Sequence, residues 1–250
     1  SNSSAASDVY KRQDTDKIFQ MVMGWDVDGV IAISFSKSNC EKIYQLINKP
    51  IVSIDAYGEL DAGQENHVLN IGLDDESGGY LMTKYLLECG YEHIQVCAGR
   101  DNGVDHFRYM GAQRAAKEFA GKKQKVQFTA LGMNYAKRKE SYAWLIQRKK
   151  PKTALFFLSD LYALEAISFF SSRGVKIPEE IGIAGYDNIS YAEFSVPRLT
   201  TISQNVEQKA SLAVEILMER INGVEKEREN EIELPVTLIP RKSVQPQDEN

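Results

Sequence analysis

Four short apolar runs constrain this chain most: VIAI at Val30–Ile33, IVSI at Ile51–Ile54, ALFFL at Ala154–Leu158 and IGIA at Ile181–Ala184. Each reads as a strand, the run at Ala154–Leu158 strongly apolar and the one at Ile181–Ala184 too short for a helix and fit to be buried on both faces. Further strands are expected at Ile94–Ala98, Val126–Ala130 and Glu233–Ile239, with an extended run from His67 to Leu73. Between them lie stretches with helical spacing. Ser38–Asn48 turns Ile43, Leu46 and Ile47 inward; Asp75–Glu88 offers Tyr80, Leu81, Tyr85 and Leu87; Phe107–Ala120 offers Met110, Ala115 and Phe119. Lys137–Arg148 and Leu161–Ser172 follow, and Val206–Asn222 turns Ala210, Ala213, Val214, Leu217 and Ile221 inward. Strand–helix alternation of this kind predicts an α/β protein of parallel sheets covered by helices on both faces, and 250 residues suit two doubly wound lobes. Ser1–Gln13 is small and polar and reads as a tail; a helix is expected from about Asp14, with Ile18, Met21, Val22 and Trp25 on one face.

Charge and reactive side chains then exclude several functions. With 30 Lys+Arg against 35 Asp+Glu, the net charge of −5 has the wrong sign for a chain that grips a phosphate backbone. Cys40, Cys89 and Cys97 form an odd set without CxxC spacing, which fits free buried thiols in a reducing cytoplasm. His67, His93 and His106 have no metal-ligand spacing, so no metal is expected. The chain has no GxSxG elbow, no GxxxxGK[ST] phosphate loop and no GxGxxG turn, and neither a cofactor nor an enzymatic role is expected. No apolar run approaches the roughly 18 residues of a membrane span, and the first residues lack an apolar signal core, so a membrane partner is not expected either.

Three of the apolar runs break off at a carboxylate: Asp55, Asp160 and Asp187. In open α/β sheets ligands collect in the crevice outside the carboxyl ends of the strands, so these acids are placed to accept hydrogen bonds from a bound molecule. Arg108 is the accompanying cation, and Tyr135 or Phe107 could supply an aromatic platform. Acceptors, a fixed fork of donors and a flat apolar face together suit a polyol. Each residue also has a plainer reading. Asp187 could be a turn residue, Asp160 a helix N-cap, Arg108 a solvated ion pair and Tyr135 an ordinary half-buried tyrosine.

The stretch IPEEIGIAGYDNISYAEFSVPRLTTISQ from Ile177 to Gln204 carries more than a strand and a turn. Together with VDGVI at 27–31, KPIVSID, Asp74 ahead of Gly78-Gly79, CGYEHI at 89–94, Arg108 three residues before Gly111, FFLSDLYALEAI and PRKS at 240–243, it resembles the effector-binding core of the LacI/GalR family of transcriptional regulators. The resemblance implies two periplasmic-binding-protein-like lobes of type I, joined by three crossings near Tyr91, Ser203–Gln204 and Glu231–Leu234. The first lobe would then hold residues 14–91 with 204–231, incomplete at its N-terminus, and the second 92–203 with 232–244, leaving 245–250 as a tail. It implies effector contacts at Asp55, Arg108, Tyr135, Ser159, Asp187 and Gln204, and a homodimer with Leu164 and Phe194 near the interface. Leu161–Ser172 is expected to have apolar surface to spare for that interface, with Phe169 and Phe170 pointing different ways. The implied function is to bind a small effector, a sugar or sugar phosphate, in the cleft between the lobes and to transmit their closure to a DNA-binding domain that has no counterpart before Asp14; operator DNA would be a partner only through that domain. Purine-type effectors also occur in the family. Ser159 stands where the family usually has Asn, which alters the donors available there. The alternative is a sugar-binding protein of a periplasmic transport system, and an enzyme comes third.

Overall fold

The computed structural model describes residues 17, 20, 21, 24, 26–101, 103–119, 124–224 and 226–246. The expected tail at 1–13, the core-facing Ile18, Val22 and Trp25, and residues 247–250 lie outside that set. In chain order the elements are β1 (Val30–Ile33), α1 (Lys37–Ile47), β2 (Ile51–Ile54), β3 (Leu69–Leu73), α2 (Asp75–Glu88), β4 (His93–Ala98), α3 (Val104–Glu118), β5 (Lys125–Ala130), α4 (Tyr135–Gln147), β6 (Thr153–Phe157), α5 (Asp160–Ser171), β7 (Gly182–Ala184), α6 (Ser190–Phe194), β8 (Thr201–Ser203), α7 (Val206–Ile221), β9 (Glu231–Leu234) and β10 (Thr237–Ile239). They form two compact units, Ser1–Leu73 with Val206–Leu234 and Asp74–Asn205 with Pro235–Asn250.

The first unit is built on a parallel sheet in the order β1-β2-β3-β9. Every residue of β2 is buried, as expected of a strand enclosed on both faces. Ser36 caps α1 by accepting the Asn39 N–H at 3.2 Å, and Asn48 ends it in the left-handed conformation with φ 49°. Its core contact is narrower than its periodicity suggests: Ile43 is buried, Ile47 only half-buried, and Leu46 is 52% exposed. On α7 the buried residues are Lys209, Ala213, Ile216 and Leu217, whereas Ala210 and Val214, expected inward, face solvent.

The second unit carries a parallel sheet in the order β5-β4-β6-β7 and an antiparallel pair, β8 with β10. The single strand expected over Glu233–Ile239 is interrupted at Pro235, where β9 ends and the chain passes to the second unit as β10. Phe169 and Phe170 both enter one core with Tyr142, Phe157 and Ile183, so they supply no surplus apolar surface to α5.

Helix α2 departs most from its periodicity. Its buried face is Gly78, Gly79, Met82, Thr83, Leu86 and Leu87, while Tyr80, Leu81 and Tyr85 are only half-buried. A Cβ on Gly79 would stand 1.8 Å from the Arg108 carbonyl oxygen, and one on Gly111 would stand 1.8 Å from that of Glu76. The backbones of α2 and α3 therefore cross at two glycines, a closeness that any side chain would forbid. That crossing packs α2 with α3 in the second unit. On α3, which begins three residues before Phe107, Ala115 is buried, Phe119 half-buried and Met110 exposed.

Candidate binding site

Neighbouring strands β6 and β7 run parallel, so Leu158–Asp160 and Gly185–Asn188 emerge side by side at their carboxyl ends. The turn after β7 puts Asp187 at φ 115° and Asn188 at φ 54°, a region that Asp and Asn tolerate better than other side chains. The turn is held by the Asp187 N–H, which donates to the Ile202 carbonyl at 2.9 Å. One carboxylate oxygen of Asp187 accepts from Ser159 Oγ at 3.2 Å and the other from Gln204 Nε2 at 2.5 Å. Three residues expected to contact a ligand thus meet in one hydrogen-bonded group.

Arg108 reaches the same strand end from α3. Its Nη1 donates to the Leu158 carbonyl at 2.9 Å, its Nε donates to Asp75 Oδ1 at 2.7 Å, and its guanidinium carbon sits 3.8 Å over the Tyr186 ring. Tyr186 completes the arrangement by donating its hydroxyl to the same Asp75 oxygen at 3.2 Å. With a side chain only 8% exposed, Arg108 is a held group and not the solvated ion pair that its sequence alone allowed. The guanidinium is gripped along two edges by fixed partners, which removes most of the rotamer freedom a surface arginine keeps.

The electrostatics of this group follow from burial. Burial raises the Asp187 carboxyl above its ordinary range, with Arg108, Ser159 and Gln204 working against the rise. Asp105, whose oxygen is 3.8 Å from Arg108 Nη1, is pushed up to about 6 by burial, with Arg108 opposing and Asp187, Asp75 and Asp101 adding to the rise. One guanidinium therefore serves several carboxylates. Such a group can accept hydrogen bonds from hydroxyls at Asp187 and Asp105 and donate from Ser159, Gln204 and Arg108. Ser159 Oγ donates to a carboxylate, and no histidine is among its described partners.

Asp160, Tyr135 and Asp55 have other described partners. Asp160 is fully buried and tied on both oxygens, accepting from Thr201 Oγ1 at 2.6 Å and the Ile189 N–H at 2.9 Å; it locks the start of α5 to the turn after β7 and is neither ligand group nor N-cap. Burial pushes its carboxyl up to about 7. Tyr135 is half exposed at the first position of α4, with Lys139 Nζ 5.1 Å over its ring, and no described hydrogen bond or ring contact joins it to Asp187. Asp55 belongs to the first unit, at φ 52° after β2, where it accepts from the buried Lys209 Nζ at 2.6 Å. Sequence reasoning missed Asp75, Asp105, Tyr186 and Lys209. Tyr186 stands inside the GYDN turn and could have been noticed there, but a buried lysine on an amphipathic helix leaves no signal in composition.

The PRLTT and PRKS segments prove to be structural. Ser243 Oγ accepts the Thr200 N–H at 2.8 Å and donates to the Ile183 carbonyl at 2.5 Å, while Arg241 Nη2 donates to Asn188 Oδ1 at 2.8 Å. PRLTT and PRKS thus clasp β7 and hold the turn that carries Asp187. A family model described as a periplasmic binding protein-like domain matches residues 83–244, the span that contains all of these ties.

This chain belongs to the periplasmic binding protein-like family. Within it, the chain is the effector-binding core of a LacI/GalR-type regulator. The HTH-type transcriptional repressor PurR of Pasteurella multocida is 33% identical over 233 residues, which are 90% of this chain and 66% of the relative. The chain spans about half to two thirds of the length of the curated relatives it matches. A LacI family regulator from Enterococcus faecium with bound ribose superposes with a TM-score of 0.79 at 25% identity, covering 93% of this chain and 85% of that one. A periplasmic binding protein/LacI regulator from Alkaliphilus metalliredigens complexed with D-xylulofuranose gives a TM-score of 0.77 at 25% identity, covering 94% and 84%. The relatives are transcriptional repressors and regulators, not enzymes. Among the described residues no helix of this LacI/GalR core is long and apolar enough to cross a membrane.

Proposed function

We propose that this core senses a small polyhydroxylated effector, a sugar or sugar phosphate, and that the complete regulator responds to it by changing its hold on operator DNA. The observation that carries the reading is the group formed by Asp187 with Ser159, Gln204 and Arg108 at the carboxyl ends of β6 and β7. Its described side-chain donors to Asp187 are neutral, so hydroxyls can take their place without breaking an ion pair. Sugar-bound relatives support the same class of effector. Asp55 and Tyr135 enter the proposal on the family resemblance. A thermal-shift screen over sugars, sugar phosphates, nucleosides and purines tests it, since a ligand bound only by the folded state raises the melting temperature. A sugar or sugar phosphate should shift it, and Asp187→Ala should abolish the shift. A response confined to purines would replace the ligand class.

The regulator is further proposed to act as a cytoplasmic homodimer, with three buried free cysteines in keeping with a reducing compartment. Leu161, Tyr191, Phe194 and Val196 are all more than half exposed on α5, on α6 and just after it, segments that the Asp160–Ile189 hydrogen bond draws together. Exposed aromatic and aliphatic side chains so grouped suit a second copy. Phe194→Glu should lower the mass measured by sedimentation from dimer to monomer, and an unchanged mass would remove this face from consideration.

A further inference from the structure

The first unit holds a cavity of about 670 Å³ that shares no residue with the groups described so far. Pro50 and Leu69 place it at the amino ends of β2 and β3. Asp55 follows the carboxyl end of β2, a four-residue strand, so roughly 13 Å of strand separates the two. A ligand here is distinct from one at Asp55.

The lining has two kinds of surface. Tyr44 and His67 form a flat wall, their rings stacked at 4.9 Å and 15°, and Pro50, Leu69, Ile216 and Val224 add apolar surface. His67 is fixed in that wall by Glu41 on Nδ1 at 3.1 Å and by Glu65 on Nε2 at 3.3 Å. The charged lining is mostly basic: Lys49, Arg220, Lys226 and Arg228 against the exposed Glu227. Lys226 and Arg228 both pair with Glu219, and Arg228 also faces Glu215. Arg220 differs. It is half-buried, its Nη1 donates to the carbonyls of Ile51 at 3.2 Å and His67 at 3.3 Å, and no carboxylate pairs with it among the described residues. Lys49, at the rim, forms no described ion pair either. A guanidinium stays charged at any pH the fold survives, and a charge held partly out of water is stabilised by a counter-ion.

We infer that this cavity binds a small organic anion carrying a flat ring, its negative group on Arg220 and Lys49 and its ring along the Tyr44–His67 wall. The volume is within the range of small-molecule sites and exceeds what an inorganic ion fills. Titration calorimetry of the whole chain with salicylate, adenosine 5′-monophosphate and inorganic phosphate tests the assignment. Both ring-bearing anions should bind saturably, with phosphate at least about tenfold weaker because it gains nothing from the wall. Arg220→Met should weaken them by about tenfold or more, the usual worth of a charge-assisted hydrogen bond, and Arg220→Lys should restore part of the loss. Should Arg220→Met fail to fold, Lys49→Gln on the exposed rim carries the test, with a loss of about threefold. Asp187→Ala should leave this binding unchanged. Absence of saturable binding, phosphate binding as tight as the ring-bearing anions, or binding lost in Asp187→Ala but kept in Arg220→Met would each overturn the inference.

Discussion

The two units each end a buried strand on an aspartate at positive φ, yet they treat the two carboxylates differently. Asp55 is paired at 2.6 Å with Lys209, a buried ammonium delivered by α7 from 154 residues further along the chain. Among the described residues, the side chains that donate to Asp187 are the neutral Ser159 and Gln204, while the nearby cation, Arg108, is pinned to Asp75. An ion pair at short range is costly to open, because whatever displaces the lysine must satisfy both charges. A carboxylate held by a hydroxyl and an amide can trade them for ligand hydroxyls of similar strength. The contrast implies that Asp55 stabilises its unit and that Asp187 is kept available, at the cost of the burial that raises its pKa.

Stability measurements can break this comparison outright. Asp55→Ala takes the ion-pair partner from a side chain that is 4% exposed, and the expected loss is roughly 3 kcal/mol in urea unfolding. Asp187→Ala removes a desolvated carboxylate whose described side-chain hydrogen-bond partners are neutral, and the folded state should change by no more than about 1 kcal/mol. Equal losses in the two variants would dissolve the distinction. Gly79→Ala probes the scaffold of the second unit. Its methyl would meet the Arg108 carbonyl, so unfolding should become easier by roughly 2–3 kcal/mol, with Arg108 displaced from Leu158.

Affinity sharpens the same contrast. With a confirmed effector, Asp187→Asn should weaken binding by about 1.5–3 kcal/mol, the range for a hydrogen bond to a charged group, while leaving the melting temperature near that of the parent. A variant that melts early and binds normally would make Asp187 the structural residue and the contrast void.

How much of this was legible beforehand depended on which residue types carried it. The buried strands and their terminal aspartates stand out because a strand enclosed on both faces must be continuously apolar and because the change to Asp is abrupt. The face of α2 was misread for the opposite reason: where two helices approach most closely the residues are Gly78, Gly79 and Gly111, which add nothing to a hydrophobic pattern. The Arg108–Asp75–Tyr186 arrangement and the Lys209–Asp55 pair join residues 33, 111 and 154 positions apart, and no local period encodes such distances. Lys209 on a helix surface pattern looks like a solvated charge until the fold encloses it. The resemblance located Ser159, Asp187 and Gln204, which the structure links by hydrogen bonds, but it said nothing of how they hold one another.

A dependence of stability on pH separates the structural acid of the second unit from its exchangeable one. Asp160 has a folded pKa pushed up to about 7 by burial, against an ordinary value near 3.8 when unfolded. Between pH 8 and pH 6 the unfolded chain leaves this carboxyl ionised, whereas the folded chain takes up a proton, so lowering the pH favours the folded state. The gain over that interval is about 1–2 kcal/mol, with Asp105, raised to about 6, adding a smaller share at the lower end. Asp160→Asn should flatten this profile, because its amide can still accept from the Ile189 N–H and donate to Thr201 without any charge to desolvate. Effector affinity should run the other way, falling towards pH 6 as Asp105 becomes protonated and loses acceptor capacity for ligand hydroxyls. Opposite slopes for stability and affinity, with only the first removed in Asp160→Asn, would assign the two roles to different carboxylates. Parallel slopes, both lost in that single variant, would mean that Asp160 serves the ligand after all and that its hydrogen bonds to Thr201 and Ile189 open when the effector arrives.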